Sequence, residues 1–468
     1  MSVQSIRSIR STQSIRSVPS VPSVGLFACG GIRTLSKHFT LQSLIINGIS
    51  TTGDLILLQF QSARKRRLFF ALLYFSEGAP IGFLWWALPA QMRADGVSLP
   101  AITGLTAALA LPWAFKFLWA PLIDIIRSPR WSLRAWIVSS QIAMGASLLP
   151  LLMFDLPADL HILFGFLLFH AVAAATQDVS IDALCIAHVS PEERGSVNGW
   201  MQAGMLAGRG VFGGGTLLLA DLLGPVGVVL LLAGVIWSIA GVVSLASGFG
   251  LASPVERVSL RWREFLIAAR QTVLKKPVWS GLIVAAIGGA GFEAVGAIAG
   301  PFMIDHGLTT AQVGFFFSFP AIGGMIFGAL AGGFASDRLG RRRSVALFLV
   351  LLALSILALA GAGYFSPGLQ GDFLLVLLTA VYCCIGLFTA SSYAFFMDLT
   401  DPRLGATQFS AFMGVTNLCE SWSGFTIGRM IPLIGYPAGI AIMGIVSLIA
   451  LPFVFLSRDR PENQKAAS

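Results

Sequence analysis

Long apolar blocks separated by short polar segments are the main pattern along this chain. From residue 64 onward each block holds about the 20 apolar residues that a helix needs to cross a hydrocarbon layer, whereas a buried strand takes only about four to eight. The pattern predicts an all-α integral membrane protein. Its twelve transmembrane helices are predicted at 68–91, 99–124, 133–154, 160–187, 195–221, 225–249, 278–303, 311–335, 344–365, 372–397, 405–430 and 433–456.

A basic, amphipathic segment at 251–277 separates the first six apolar blocks from the last six. Apolar residues such as Trp262 and Phe265 recur there at helical spacing, while Arg261 and other cations take the remaining positions. This pattern is typical of a helix lying in the membrane interface, and the alternative is a basic loop without a partner. In both cases we predict a cytoplasmic linker. The predicted domains are an N-terminal six-helix bundle at 64–250, this linker, a C-terminal six-helix bundle at 278–460 and a cytoplasmic tail at 461–468.

Residues 1–63 differ from everything after them. They repeat Ser-Ile-Arg with a short period and hold no acidic residue before Asp54. Organelle transit peptides are also rich in Arg and Ser and poor in acids, but a disordered tail or a start codon placed too far upstream gives the same pattern. We predict a low-complexity, disordered N-terminal extension and assign it no function.

The composition agrees with a membrane protein. Only 11% of the residues are charged, against about 25% in soluble domains, and the mean hydropathy is +0.80. The net charge of +9 does not indicate a nucleic-acid partner, because most Lys and Arg residues flank apolar blocks. The five cysteines lack metal-ligand spacing, and no Gly-x-x-x-x-Gly-Lys-Ser/Thr run is present. We therefore expect no metal, no cofactor and no bound nucleotide.

The positions of the cations predict how the chain lies in the membrane. Nearly all Lys and Arg residues of the connecting segments fall on one side of the twelve predicted spans, and the opposite loops hold only Arg93. Because loops rich in Lys and Arg stay in the cytoplasm, both termini are predicted to be cytoplasmic. We expect a multi-pass protein of the inner membrane.

The two halves of the chain also resemble each other. The segment 92–104 after the first predicted helix is similar to 303–314 after the seventh, and 190–195 is similar to 401–405. Repeats of this kind mark secondary transporters, whose substrate site lies near the middle of the membrane where the halves meet.

The run Gly-Phe-Ala-Ser-Asp-Arg-Leu-Gly-Arg-Arg-Arg at 333–343 resembles the signature of the major facilitator superfamily, with Ala335 where the family often has Leu. Segments 111–124 and 176–183 resemble the AmpG-like branch of that superfamily, which includes muropeptide permeases and siderophore importers, and 76–80 is a weaker match. The superfamily resemblance covers most of the chain after the N-terminal extension. It implies two pseudo-symmetric six-helix bundles that alternate access to a central site.

The resemblance also implies a cytoplasmic gate, in which charged residues hold helix ends together in one conformation and release them in the other. A carboxylate beside several guanidinium groups can form such pairs, although cations that only anchor helix ends would take similar positions. After Asp124 the chain lacks the cationic run of the second half, so the gate is expected to rely mainly on charged residues of the second half. Its predicted members are Asp124, Asp337, Arg338, Gly340, Arg341 and Arg342.

Ionisable residues inside the predicted spans are the candidates for a transport site. Each such charge costs roughly 2.5–3.5 kcal/mol at a helix centre, so it needs a partner or an aqueous cavity. In one interpretation Arg209 pairs with Glu77 or Asp178 and stabilises the first half. In the other, Arg209 faces an anionic group of the substrate while a carboxylate takes up and releases a proton, because a low-dielectric site favours the protonated acid. The predicted substrate and proton-coupling residues are Glu77, Gln177, Asp178, Arg209, Glu293 and Glu420.

Two further charges lie nearer the cytoplasmic ends of their helices. Lys116 is expected to extend its amine toward the membrane surface. Asp182, one turn after Asp178, is expected to pair with a loop cation. Neither is included among the predicted site residues.

These observations predict a secondary active transporter that works by alternating access. We expect a monomer in the lipid bilayer that couples protons to the import of a small, polar solute such as a muropeptide or a siderophore. The alternative is an assembly factor of the same fold that binds a pigment or a protein partner without transport. An enzyme is not predicted, because the loops on the outer side are too short for a catalytic domain.

Overall fold

The computed structural model describes residues 62–126, 131–154, 158–245, 275–365, 371–400 and 405–456. Almost all of the predicted N-terminal extension and linker, and the whole predicted tail, lie outside these ranges. Every regular element within the described ranges is helical. The all-α membrane fold predicted from the apolar blocks is therefore confirmed.

Twelve long helical segments follow one another along the described chain. Their bounds are α1 Ala63–Ala94, α2 Leu99–Leu118, α3 Leu133–Leu152, α4 Leu160–His188, α5 191–218, α6 Ala220–Leu245, α7 Lys276–Asp305, α8 Thr310–Leu339, α9 Arg341–Phe365, α10 Gly371–Leu399, α11 405–434 and α12 436–456.

Ten segments of the described chain are long and apolar enough to cross a membrane. One of them, Gln408–Leu456, contains both α11 and α12, because Gly435 has a φ of 80° and interrupts the helix there. The remaining segment, α5, is equally long, but its polar residues, among them Arg209, make it less apolar. The described helices thus agree with the twelve predicted spans.

The two halves of the chain repeat the same helix packing. In the first half α1 packs along α5, and α3 contacts α4 and α6. In the second half α7 packs along α11, and α9 contacts α10 and α12. The α1–α5 contact requires glycine, because a Cβ on Gly208 would lie 2.6 Å from the carbonyl oxygen of Phe75. The similar packing gives the weak sequence repeat a structural reason.

Helices from opposite halves pack against each other in pairs. We call the end of the molecule that carries the α1–α2 loop the Arg93 end, and the end that carries the α8–α9 turn the Arg338 end. α2 packs on α11 from Thr103 and Gly428 near the Arg93 end to Gly414 near the Arg338 end. α5 meets α8 mainly in the parts nearer the Arg93 end. The described halves are therefore held together more extensively at the Arg93 end.

Three of the described helices contain a π-helical turn where the halves meet. The rings of Trp86 and Phe317 stack there with 4.9 Å between their centroids, and the Ser318 hydroxyl donates to the carbonyl oxygen of Gly210 at 3.3 Å. Such turns are frequent at functional positions, because they leave backbone groups outside the regular hydrogen-bond ladder. The three segments are Phe83–Ala87 in α1, Gly210–Gly215 in α5 and Phe317–Ala321 in α8.

The helix α7 is broken at a Gly-Gly pair in its middle. It consists of Lys276–Ile287 and Ala290–Asp305. Side chains of α11 and α12 satisfy backbone groups beside the break: the indole of Trp422 donates to the Ala286 oxygen at 2.9 Å, and the Gly291 N–H donates to the Ser447 hydroxyl at 2.7 Å. Broken helices in transporters commonly lie beside the substrate site.

Candidate transport site

A group of ionisable side chains lies inside the first half, between α1, α2 and α4. We call Tyr74, Glu77, Lys116, Asp178 and Asp182 the acidic cluster. Lys116 forms an ion pair with Asp178. The Tyr74 hydroxyl lies 2.9 Å from Asp182 Oδ1 and 3.2 Å from Asp178 Oδ1. Because a hydroxyl has one proton, it can donate to only one of these carboxylates at a time.

Glu77 is the least satisfied member of the acidic cluster. Its side chain is buried, and Trp113 donates its indole N–H to Oε1 at 3.4 Å. Its Oε2 is also buried and has no hydrogen-bond partner. Of the three carboxylates, Glu77 is therefore the one with a buried oxygen that lacks a hydrogen-bond partner.

Gln177 lies next to the acidic cluster, in a contact between α1, α3 and α4. Its Nε2 and that of Gln141 both donate to the Ser76 hydroxyl, at 3.3 and 2.9 Å. Amide hydrogen bonds of this kind hold membrane helices together. The structure therefore gives Gln177 a packing contact.

A second group, which we call the cleft cluster, joins the two halves. It consists of Arg209 on α5, Glu293 on α7 and Glu420 on α11. Arg209 lies within electrostatic range of both carboxylates. No ion pair between described residues includes Arg209, however, and its buried Nε has no hydrogen-bond partner.

Aromatic side chains surround the cleft cluster. Tyr382 and Tyr393 of α10 lie within electrostatic range of Arg209 and Glu293. Trp85 interacts with Glu420, and its ring lies 5.9 Å from that of Trp113, which contacts Glu77. Two indole rings therefore connect the cleft cluster to the acidic cluster.

Glu293 also lines a recess in the second half. It stands in the first turn after the break in α7 and faces residues of α10 and α11. The recess is bordered by Phe292, Glu293, Phe388, Tyr393, Thr416 and Cys419, among others. It combines aromatic, hydroxyl and carboxylate groups, but its volume of about 20 Å³ has room for water and not for a sugar-sized solute in this conformation.

The pairings differ from two sequence-based expectations. Lys116 was expected to extend to the membrane surface, but only 12% of its side chain is exposed and it pairs with Asp178. Asp182 was expected to pair with a loop cation, and its described partner is Tyr74. Since Asp178 already has an amine partner, the structure gives no support to its pairing with Arg209. The sequence did contain one signal for this cluster. Tyr74 and Glu77 are three residues apart and so share a helix face, and the same is true of Trp113 and Lys116.

At the Arg338 end, Arg341 connects the ends of three helices of the second half. Its guanidinium lies 2.8 Å from Asp337 on α8 and 3.7 Å from Asp398 on α10. Gly340 has a φ of 86°, which permits the tight α8–α9 turn. Arg338 stacks on the Phe334 ring, and Arg342 follows in the first turn of α9.

The side chain of Asp124, another predicted gate residue, lies outside the described parts. The predicted gate residues whose contacts are described interact within the second half. Asp398 was missed by sequence reasoning, because an acid at a helix end near many cations has no distinguishing spacing.

At the Arg93 end, an ion pair joins the halves. Arg93 of α1 binds Asp305 of α7 through two hydrogen bonds, of 2.6 and 2.8 Å. Among ion pairs whose two partners are both described, it is the one between opposite halves. Sequence reasoning used Arg93 only to orient the chain.

Comparison with known proteins gives concordant matches. The family model described as Major Facilitator Superfamily matches residues 70–428 and 327–468. An anhydromuropeptide permease of Escherichia coli (strain K12) is 25% identical over 403 residues, which are 83% of this chain and 80% of that protein. An uncharacterized protein of Haemophilus influenzae is 26% identical over 404 residues, which are 81% of this chain and 91% of that protein.

Solved structures show the same fold. A bacterial homologue of the human lysosomal transporter Spinster, in an inward-facing and unoccupied conformation, has a TM-score of 0.69 at 17% identity, with 86% of this chain and 100% of that chain covered. A D-xylose–proton symporter has a TM-score of 0.66 at 11% identity, with 83% and 96% covered. At these identities the likeness concerns the fold alone.

Proposed function

Because the chain belongs to the major facilitator superfamily, we propose that it imports a polar solute of the muropeptide kind together with protons. It is a multi-pass membrane transporter with AmpG-like relatives and not an enzyme. The observation that carries the finer proposal is Arg209, which faces carboxylates of the opposite half without forming an ion pair.

The cleft cluster supports the choice of solute. A guanidinium recognises a carboxylate by paired hydrogen bonds, and two glutamates can accept hydrogen bonds from amide or amine groups. The neighbouring aromatic rings offer flat apolar faces for a sugar ring. A muropeptide combines a sugar with a peptide that carries carboxylates, so its groups match this arrangement. The similarity to an anhydromuropeptide permease is consistent with this choice.

The acidic cluster supports proton coupling. Three carboxylates and one ammonium group lie together inside the membrane, so full ionisation would leave excess negative charge in a low-dielectric region. Lys116 neutralises Asp178, and Tyr74 contacts Asp182, whereas Glu77 keeps one oxygen without a partner. We therefore assign the transported proton to Glu77, and Asp178 and Asp182 set the field around it.

We assign the Arg338 end to the cytoplasm and the Arg93 end to the outside of an inner membrane. The support is the distribution of Lys and Arg, which cluster in the connecting segments at the Arg338 end. Solute would then enter the cleft from the Arg93 end and leave at the Arg338 end. We infer that a single chain is sufficient, because Arg209, Glu293 and Glu420 come from the two halves of one chain.

The test is uptake of labelled anhydromuropeptide by proteoliposomes with an imposed pH gradient, acidic outside. We expect accumulation that a protonophore abolishes. Accumulation that is indifferent to the gradient would contradict proton coupling. Uptake of a labelled ferric siderophore but not of the muropeptide would contradict the choice of solute, and no uptake of either would favour an assembly factor.

Two variants distinguish the loss of the proton site from the general effect of removing a carboxylate. Glu77→Gln is expected to abolish gradient-driven accumulation while exchange of labelled for unlabelled solute continues, because exchange needs no net proton movement. Glu193→Gln is the control, since Glu193 pairs with Arg66 in the same half, away from the cleft. Equal behaviour of the two variants would contradict the role of Glu77.

A further inference from the structure

The Arg93 end carries a polar connection that the transport site does not use. Arg93 Nε and Nη2 donate to the two carboxylate oxygens of Asp305, at 2.6 and 2.8 Å. The hydroxyl of Tyr436, at the start of α12, donates to Asp305 Oδ2 at 2.7 Å. Arg93 belongs to the first half, and Asp305 and Tyr436 belong to the second. We call these three residues the Arg93 latch.

Each charged group of the latch also has a partner in its own half. Arg93 Nη1 donates to the carbonyl oxygen of Val97 at 3.0 Å, and Asp305 keeps the hydrogen bond from Tyr436. If the halves separated at this end, the Arg93–Asp305 hydrogen bonds would be the ones of the latch that break. Neither charge would then be left without a protein hydrogen bond.

The latch is also partly accessible to water. The side chains of Arg93 and Asp305 are 27% and 23% exposed. Water can therefore replace the broken hydrogen bonds, and an ion pair at such a site contributes only modestly to stability. A contact with two charged hydrogen bonds but a small net free energy suits a connection that opens and closes repeatedly.

Tightly packed apolar groups lie behind the latch. Ala90 of α1 contacts Gly300 of α7, where a Cβ on the glycine would lie 3.1 Å from that of Ala90. Deeper in the molecule the Trp86 ring stacks on Phe317 across the halves. Gly300 lies between Asp305 of the latch and Glu293 of the cleft cluster along α7, so this packing separates the latch from the cluster.

We propose that the Arg93 latch holds the Arg93 end closed and opens once in each transport cycle, when the solute enters from that end. The inference rests on the proposed alternating access and adds the residues that control one of its two states. The Arg338 end offers no equivalent among the described residues, because Arg341 pairs within the second half. The latch therefore biases the protein toward the state that is closed at the Arg93 end.

The experiment measures how fast a buried cysteine at the Arg93 end is labelled. Thr103→Cys is the reporter, because Thr103 is fully buried where α2 meets α11, and threonine and cysteine are similar in size. The native cysteines are replaced first, and a membrane-impermeant maleimide is added to proteoliposomes of known orientation. Asp305→Asn is expected to raise the labelling rate about two- to fivefold, as loss of a partly exposed ion pair should shift the equilibrium.

Asp95→Asn is the matched control. Asp95 is a carboxylate at the same end, but its described partner is Gln91 of the same half, at 3.1 Å. This control should label like the parent. Exchanging the charges, Arg93→Asp with Asp305→Arg, should restore slow labelling and also shows that the single variant was not simply misfolded.

Equal labelling of Asp305→Asn and Asp95→Asn, or no restoration by the charge exchange, would overturn the latch. The measurement requires neither a solute nor a pH gradient. A failure of proton-coupled uptake would therefore leave this result interpretable, and a failure of the latch would leave the uptake result interpretable.

Discussion

The acidic cluster and the cleft cluster place similar side chains at similar depth, but they differ in where the partners of the charges lie. In the acidic cluster, Lys116 and Asp178 form an ion pair between two helices of the same half. In the cleft cluster, Arg209 faces Glu293 and Glu420 across the junction of the halves and forms no ion pair with either.

The two clusters should therefore respond differently when the halves move relative to each other. A pair inside one half moves with that half, so its energy does not depend on the angle between the halves. Charges on opposite halves change their separation whenever the halves move, and a solute or a proton bound between them changes the preferred separation. We therefore expect the Lys116–Asp178 pair to be important for stability, and the cleft cluster, together with Glu77 as the proton carrier, to be important for transport.

The largest expected effect is on stability. Lys116→Met should lower the free energy of unfolding by about 3–5 kcal/mol, because it leaves the Asp178 carboxylate buried without its cation. The double variant Lys116→Met with Asp178→Asn should recover most of this loss, since the charge of Asp178 is removed together with that of its partner. Denaturant unfolding in detergent measures both variants. A single variant as stable as the parent would show that the pair is not a structural contact.

The second largest effect is expected on transport, with little change in stability. Arg209→Gln is expected to reduce solute uptake about 30- to 100-fold, which corresponds to about 2–3 kcal/mol of lost interaction with a charged group, while unfolding changes little. Arg429→Gln is the control, because Arg429 is an exposed membrane-helix arginine that stacks on Phe425. If Arg209→Gln unfolded as easily as Lys116→Met, the distinction between the two clusters would fail.

A smaller effect is expected at Tyr74. Tyr74→Phe removes the hydroxyl that lies 2.9 Å from Asp182 and should lower stability by about 1 kcal/mol, because one neutral donor to a carboxylate is lost. Uptake should change by no more than a few-fold. Parallel unfolding and uptake assays test this, and a loss of uptake as large as that of Arg209→Gln would move Tyr74 into the transport machinery.

The smallest effect should be at the Arg338 end. Arg341→Gln is expected to change stability by less than about 1 kcal/mol, because its partners Asp337 and Asp398 are 69% and 58% exposed and water screens the pairs. Thermal unfolding at low and high salt checks this. A large, salt-sensitive loss would indicate contacts between the halves that involve residues beyond the described ranges.

The sequence predicted the helices well because the physical signal is strong. A block of apolar residues has few alternatives in a membrane, so the spans near 68–91 and 278–303 correspond to α1 and α7. The second span is an exception at its end. The prediction continued to residue 124, whereas α2 ends at Leu118 and a short helix, Ala120–Ile125, follows. Apolarity continues through that turn and so does not reveal it.

The candidate site was predictable as a set of residues but not as a set of pairs. Glu77, Asp178, Arg209, Glu293 and Glu420 stand out because charges inside apolar blocks are rare. Which of them meet depends on the rotation and tilt of each helix, which no local pattern encodes. The Arg93–Asp305 pair joins residues 212 positions apart and depends on how the two halves are placed.

One measurement tests directly whether the halves move about the cleft. Spin labels at Ser196→Cys on α5 and Leu339→Cys on α8 are on exposed positions of opposite halves at the Arg338 end. Pulsed electron paramagnetic resonance then gives their distance with and without anhydromuropeptide. We predict that solute shifts the distance distribution in the parent and leaves it unchanged in Arg209→Gln. A distribution that solute does not alter in the parent, under conditions where uptake occurs, would contradict movement of the halves about a cleft served by Arg209.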